Sequence, residues 1–220
     1  MSMILNPYRF GGSGADPFYA NVTALLNMDV ADGTTFPDAK GRTWVPSGDA
    51  QVIAQWYVGD GLGDWLSHSG MTTDFQMGTG DFTFEGFIQT SAMDDIILDN
   101  RASGDTGLVM YTKAGTGYLG AFCNRGSSVE VLGSAPVTDN VPHHFAFSRV
   151  SGTLFVCLDG VVSGSGSMAN DLNASGKLTI GAGDGGLQPL AGKLRGIRVT
   201  KGVGRYSGAY VVPSWPLPTF

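Results

Sequence analysis

Apolar and polar residues alternate through "HHFAFSRVSGTLFVCLDGVVSGSG" (143–166), with breaks at Ser151-Gly152 and Asp159-Gly160. Alternation sends successive side chains to opposite faces of a strand, so Phe145, Phe147 and Arg149 share one face and His144, Ala146 and Ser148 the other. Ser-Gly and Asp-Gly pairs supply the positive φ that two-residue hairpin turns require. The pattern predicts a three-strand meander over 143–150, 153–158 and 161–164. Upstream lie shorter strand-like runs, "TWVP", "QVIAQWYV", "FTFEGFIQT", "DIILDN", "GLVMYTK", "YLGAFCN" and "SVEVLG"; downstream are "GKLTIGAG" and "AGKLRGIRVTK". Turn residues separate them at spacings of about 8–12 residues, the mark of a sandwich or barrel. "ANVTALLNMDV" is locally ambiguous. Asp16-Pro17 make an acceptable helix start, while Asn-Val-Thr favours a strand, which is our assignment. No stretch keeps a 3.6-residue period over three turns.

The ends differ from the middle. Residues 1–15 are poor in pattern and reach "GGSG", and the tail "YVVPSWPLPTF" holds too many prolines for an interior strand. The expected organisation is an N-terminal arm (1–15), a β-sandwich (16–206) and a proline-rich C-terminal arm (207–220).

Composition agrees with this picture. Of 220 residues, 42% are hydrophobic, enough for a core, while 15% are charged and 34 are glycine, which suits many strands joined by tight turns. The net charge is -6 and the 13 basic residues are scattered, which argues against a nucleic-acid partner. No apolar run reaches membrane-span length, and "MSMILNPYRFGG" lacks the basic start and long apolar run of a signal peptide. Synthesis and folding in a cytoplasm are expected. Cys123 and Cys157 each fall in a strand-like run and read as buried free thiols.

Taken in order, "ALLNMD", "GTTFPDAKGRTW", "GDGLGDWL", "GTGDFTFEGFI", the 143–166 meander, "LTIGAG" and "GKLRGIRVTKGVGRY" resemble the concanavalin A-like lectin/glucanase superfamily, in its laminin G-like branch. The versions found in tailed-bacteriophage virion proteins are the most similar. The resemblance implies an all-β, two-sheet antiparallel jelly-roll sandwich. Three positions depart from the family pattern: Pro142 replaces a tryptophan, Arg195-Gly196 an acidic pair, and Gly86 a bulky residue.

Enzymatic readings find little support in the residues. Superfamily glucanases align carboxylates along one strand, but Glu85 and Glu130 are the chain's only glutamates and neither has an acidic neighbour two or four residues on. His143 and His144 are adjacent, so a strand points them apart, and His68 is isolated. We expect no catalytic residues. The resemblance also implies a possible calcium at the sandwich rim, with Asp94, Asp95 and Asp99, or Asp60 and Asp64, as candidate ligands. Trp56, Tyr57 and Trp65 are the candidate aromatic platform for a sugar.

Two functions follow as expectations. The first is a structural or decoration protein of a tailed-phage virion, docked on other virion proteins through its arms, with self-association, for example as a trimer. The second is a receptor-binding module of a tail fibre or tip, recognising host surface glycan.

Overall fold

A computed structural model describes residues 14–68, 73–101, 107–123, 129–172 and 176–220. The first half of the chain forms β1 (Val22–Leu26), β2 (Trp44–Ser47), β3 (Gln51–Ile53), β4 (Trp56–Asp60), β5 (Trp65–His68), β6 (Phe82–Thr90) and β7 (Ile96–Asp99). The second half forms β8 (Val109–Thr112), β9 (Tyr118–Cys123), β10 (Val129–Pro136), β11 (His143–Val150), β12 (Thr153–Leu158), β13 (Val161–Ser167), β14 (Thr179–Ile180) and β15 (Ala191–Lys201). All pairings are antiparallel. Sheet A runs β13-β12-β11-β6-β15-β4-β3, with β1 also on β15, and sheet B runs β10-β9-β8-β7-β14-β5-β2. The expected two-sheet sandwich is the fold. Among the described residues no helix is long and apolar enough to cross a membrane.

The meander appears where alternation placed it, as β11, β12 and β13. Phe145, Phe147, Phe82, Phe84, Leu154 and Val156 point inward and meet Ile97, Met110 and Leu119 from sheet B. The run "QVIAQWYV", expected as one strand, is instead the hairpin β3–β4. Ala54 and Gln55 both adopt positive φ at its tip (49° and 66°), and Ala54 N–H donates to Asp32 Oδ1. β5 follows directly on the Gly-Asp run of residues 59–64 and was not among the strand-like runs expected from the sequence.

The C-terminal end accounts for a third layer. Of the expected 1–15 arm, residues 1–13 lie outside the described residues. The 207–220 segment does not leave the body; it lies across the outer face of sheet A as a strap. Leu217 is buried with Val22, Leu25, Trp56 and Phe87, while Tyr206 covers Ala146 and Cys157. Asn27 pins the strap through hydrogen bonds to the Leu217 N–H and carbonyl, and Asp16 N–H donates to the Phe220 carbonyl. Proline-rich chain cannot add a strand to a sheet interior, but its apolar side chains can cover a sheet face.

Cys123 and Cys157 are free and buried, Cys123 between the sheets and Cys157 beneath the strap. Burial, with the Glu85 charge nearby, pushes the Cys157 thiol up to about 12.

Candidate functional site

Sheet A buries a charged network under the strap. Glu85 on β6 stands opposite Arg198 on β15 in register. Its carboxylate accepts hydrogen bonds from Arg198 Nε (2.9 Å) and Tyr206 Oη (2.8 Å), and His144 Nε2 lies 3.3 Å away. Asp16 closes the network, accepting from Arg198 and Arg205 at 2.8–2.9 Å. A cavity of about 100 Å³ lies between this network and the strap. Burial alone would raise the Glu85 carboxyl, but Arg198, His144 and Arg205 hold it well below the usual carboxylate range. A carboxyl so held stays ionised and donates no proton, so Glu85 is unsuited to general-acid work. Glu130 lies on the outer face of sheet B, the opposite side of the sandwich, so the two glutamates cannot flank one glycosidic bond.

The acidic candidates divide differently from expectation. Asp94, Asp95 and Asp99 do not converge. Asp99 is buried and holds Arg101 bidentately, with Nε–H and Nη2–H donating at 2.7–3.1 Å. Asp95 accepts the Ala191 N–H, and Asp94 the Gln188 side-chain amide. Asp60 and Asp64 do meet, joined by Asp49, with one carboxylate oxygen of each within 4.8 Å of the others. Three carboxylates so placed are the donor type a hard cation takes. Asp64 is already used in closing the loop, since its two oxygens accept the Asp49 and Asp60 N–H groups. Burial raises its carboxyl.

The aromatic candidates also separate. Tyr57 is fully buried in the core and donates its hydroxyl hydrogen bond to the Asp64 carbonyl. Trp56 faces outward from sheet A under the strap, and Trp65 is half-buried on β5 of sheet B. They form no common platform.

A different aromatic pair lines a groove of about 240 Å³ on the outer face of sheet B. Tyr111 of β8 and Phe122 of β9 line it, with Ile96 and Val109 beneath and Asp94, Arg101 and Gln188 around the wall. Register creates the pair. Val109 lies opposite Phe122 and Tyr111 opposite Gly120, so the two rings are diagonal neighbours on one face. Gly120 leaves room for the tyrosine ring; a Cβ there would sit 2.7 Å from Tyr111 Cζ. Tyr111 Oη donates to Glu130 Oε1, which also accepts from Lys113 Nζ at 2.8 Å, so the ring is anchored at its far end. Asp94 adopts φ 69° and accepts the Gln188 amide on both its carbonyl (2.9 Å) and Oδ1 (3.0 Å). Among the described residues Asp94 Oδ2 and Gln188 Oε1 accept no further hydrogen bond, and both residues are exposed. The groove thus offers two ring surfaces with fixed acceptors at one end.

Residues 60–203 match the family model described as the concanavalin A-like lectin/glucanases superfamily. The chain belongs to this superfamily. Among solved structures, the binding domain of Paraclostridial Mosquitocidal Protein 1 superposes with a TM-score of 0.67 at 10% identity, over 85% of this chain and 50% of that one. The botulinum neurotoxin serotype C1 binding domain gives 0.64 at 12%, over 84% and 50%. The binding domain of botulinum neurotoxin DC in complex with SialylT gives 0.62 at 12%, over 84% and 49%. At these identities the likeness is one of fold, and the chain spans about half the length of those structures. No curated protein matches the chain.

Two departures from the superfamily pattern occur at one place. Gly86 faces the core, and a Cβ there would meet Ile197 Cδ1 at 2.6 Å and Phe145 Cζ at 3.2 Å. The register of β15 shifts between Arg195 and Arg198, with Gly196 at φ 58°, which turns Ile197 inward to fill the space. The groove residues Tyr111, Phe122, Asp94 and Gln188 were not legible as a group in the sequence, because the antiparallel register and the loop before β15 bring them together. The bulky positions at matching phase in "GLVMYTK" and "YLGAFCN" were the available signal.

Proposed function

We propose that the chain is a non-catalytic, carbohydrate-recognising module that takes a neutral saccharide in the groove on the outer face of sheet B. The observation that carries this reading is the pairing of Tyr111 and Phe122 beside the free acceptors of Asp94 and Gln188. A pyranose ring has an apolar C–H face that packs on an aromatic ring, and hydroxyls at its edge that donate to fixed acceptors. Arg101 at the wall is paired with Asp99 and Lys113 with Glu130, while Asp94 meets only the neutral Gln188 amide, so the groove offers an anionic ligand no unpaired cation and favours hydroxyl donors.

By the family resemblance the setting is a tailed-phage particle, with the module presented to host surface glycan. Decoration docked through both arms is the less favoured reading, because 207–220 is occupied by the chain's own sheet A. A glycan array with the purified chain, with and without chelator, tests the binding reading. The expected result is binding to neutral glycans that falls tenfold or more in Tyr111→Ala or Phe122→Ala. Absence of glycan binding overturns it. The copy number per particle separates the settings, a handful for a tip or fibre and hundreds for a shell or sheath.

A further inference from the structure

Arg195 differs from the other described arginines in its partners. Arg42, Arg101, Arg198 and Arg205 each contact a carboxylate, and Arg149 donates to main-chain carbonyls. Arg195 instead lies between two indoles, its Cζ 4.0 Å from the Trp56 ring centroid and 4.3 Å from that of Trp215, with Phe87 at 5.8 Å. Its Nε is buried without an acceptor, and among the described residues no carboxylate pairs with it. The β15 bulge and Gly196 produce this placement. The strand projects Arg195 outward from sheet A, and the strap brings Trp215 over it.

Contact with the two indoles and burial of Nε leave the Nη1–Nη2 edge of the guanidinium without a partner among the described residues. That edge is a planar fork of N–H donors, matched in shape by a carboxylate that accepts two parallel hydrogen bonds. The residue is half-buried, so a charge pairing with it would be less screened than at an open surface. Lys193, two residues earlier and exposed on the same outer face of β15, adds a second cation with no acidic partner among the described residues.

We infer that Arg195, clamped between Trp56 and Trp215, is a docking point for the carboxylate of an acidic sugar. It is a second site, on the opposite side of the sandwich from the sheet B groove. Only the choice of a sugar as the carboxylate's carrier rests on the reading of the chain as a carbohydrate-recognising module.

The test is a titration of the full chain with methyl glucuronide, with methyl glucoside and acetate as controls. It is followed by tryptophan fluorescence and by the Arg195 Nε–Hε resonance. The expected result is a saturable response to the glucuronide alone, weakened at least tenfold in Arg195→Lys, whose ammonium lacks the fork. Tyr111→Ala is expected to leave it unchanged, which separates failure here from failure of the groove. No saturable response in the unmodified chain overturns the inference, and so does an equal response to acetate at matched concentration. If Arg195→Lys loosens the strap, judged by its melting temperature, the wild-type resonance decides alone. A glucuronide that does not shift it overturns the proposal.

Discussion

Arg198 and Glu85 face each other directly across β15 and β6, with Arg198 Nε donating to Glu85 Oε1 at 2.9 Å, and both side chains are almost wholly removed from solvent. A buried ion pair costs desolvation on both sides and is tolerated only where other hydrogen bonds complete it. Tyr206, Arg205 and Asp16 supply them here. Breaking the pair from one side strands a buried charge, so Arg198→Met is expected to lower unfolding stability by about 3–5 kcal/mol. Urea denaturation measures this. Glu85→Leu combined with Arg198→Met should recover a large part of the loss; a double variant no more stable than the single one contradicts this account.

Acid should weaken the same network. Burial would raise the Glu85 and Asp16 carboxyls, but the neighbouring arginines lower both below their unfolded values. Stability from a depressed carboxyl is fully present above the unfolded pKa, about 4 for these residue types, and is lost as pH falls toward the folded value. Unfolding free energy should therefore decline steadily below about pH 4. The decline should be shallower in Glu85→Gln.

His143 acts in the opposite direction. Asp159 Oδ2 lies 2.6 Å from its Nδ1 and Asp139 Oδ1 2.9 Å from its Nε2, so a protonated ring can donate to both. Burial lowers its pKa, but the two carboxylates outweigh this and raise it. The contribution is fully present below the unfolded value of about 6.5 and disappears as pH rises through the higher folded value. NMR titration of His143 should place its midpoint above about 6.5, and His143→Gln should remove this component from the stability profile.

Removing residues 207–220 should destabilise the body. The strap buries Leu217 and shields Trp56 and Phe87, and full burial of one leucine contributes about 1.5–3 kcal/mol. A thermal melt of the 1–206 chain is expected to fall by several degrees, with dye-binding apolar surface exposed. An unchanged melting temperature would mean that the segment is a detachable arm after all.

Strand content was legible wherever the signal was local. The runs "FTFEGFIQT" and 143–158, bounded by Gly-containing turns, predict β6, β11 and β12 to the residue, while β13 starts where expected and runs three residues further, to Ser167. Locality failed at Ala54 and Gln55, where neither residue announces a turn, and at β5, whose four residues are too few to show alternation after the glycines and aspartates of 59–64. The candidate sites fared less well. Trp56, Tyr57 and Trp65 are close along the chain, but β4 and β5 belong to different sheets and adjacent strand positions face opposite ways. Asp49 joined Asp60 and Asp64 only through a loop-to-loop contact.

The sequence by itself determined an all-β sandwich of one superfamily, because hydrophobic period, turn chemistry and motif order are properties of neighbouring residues. The tertiary structure decided that the proline-rich end covers sheet A, that Asp16 meets Arg205, that Arg195 sits between Trp56 and Trp215, and that Tyr111 lies beside Phe122. These depend on strand register, on one bulge in β15 and on where the chain end comes to rest. Each is set by packing between segments distant in sequence, so no local pattern encodes it.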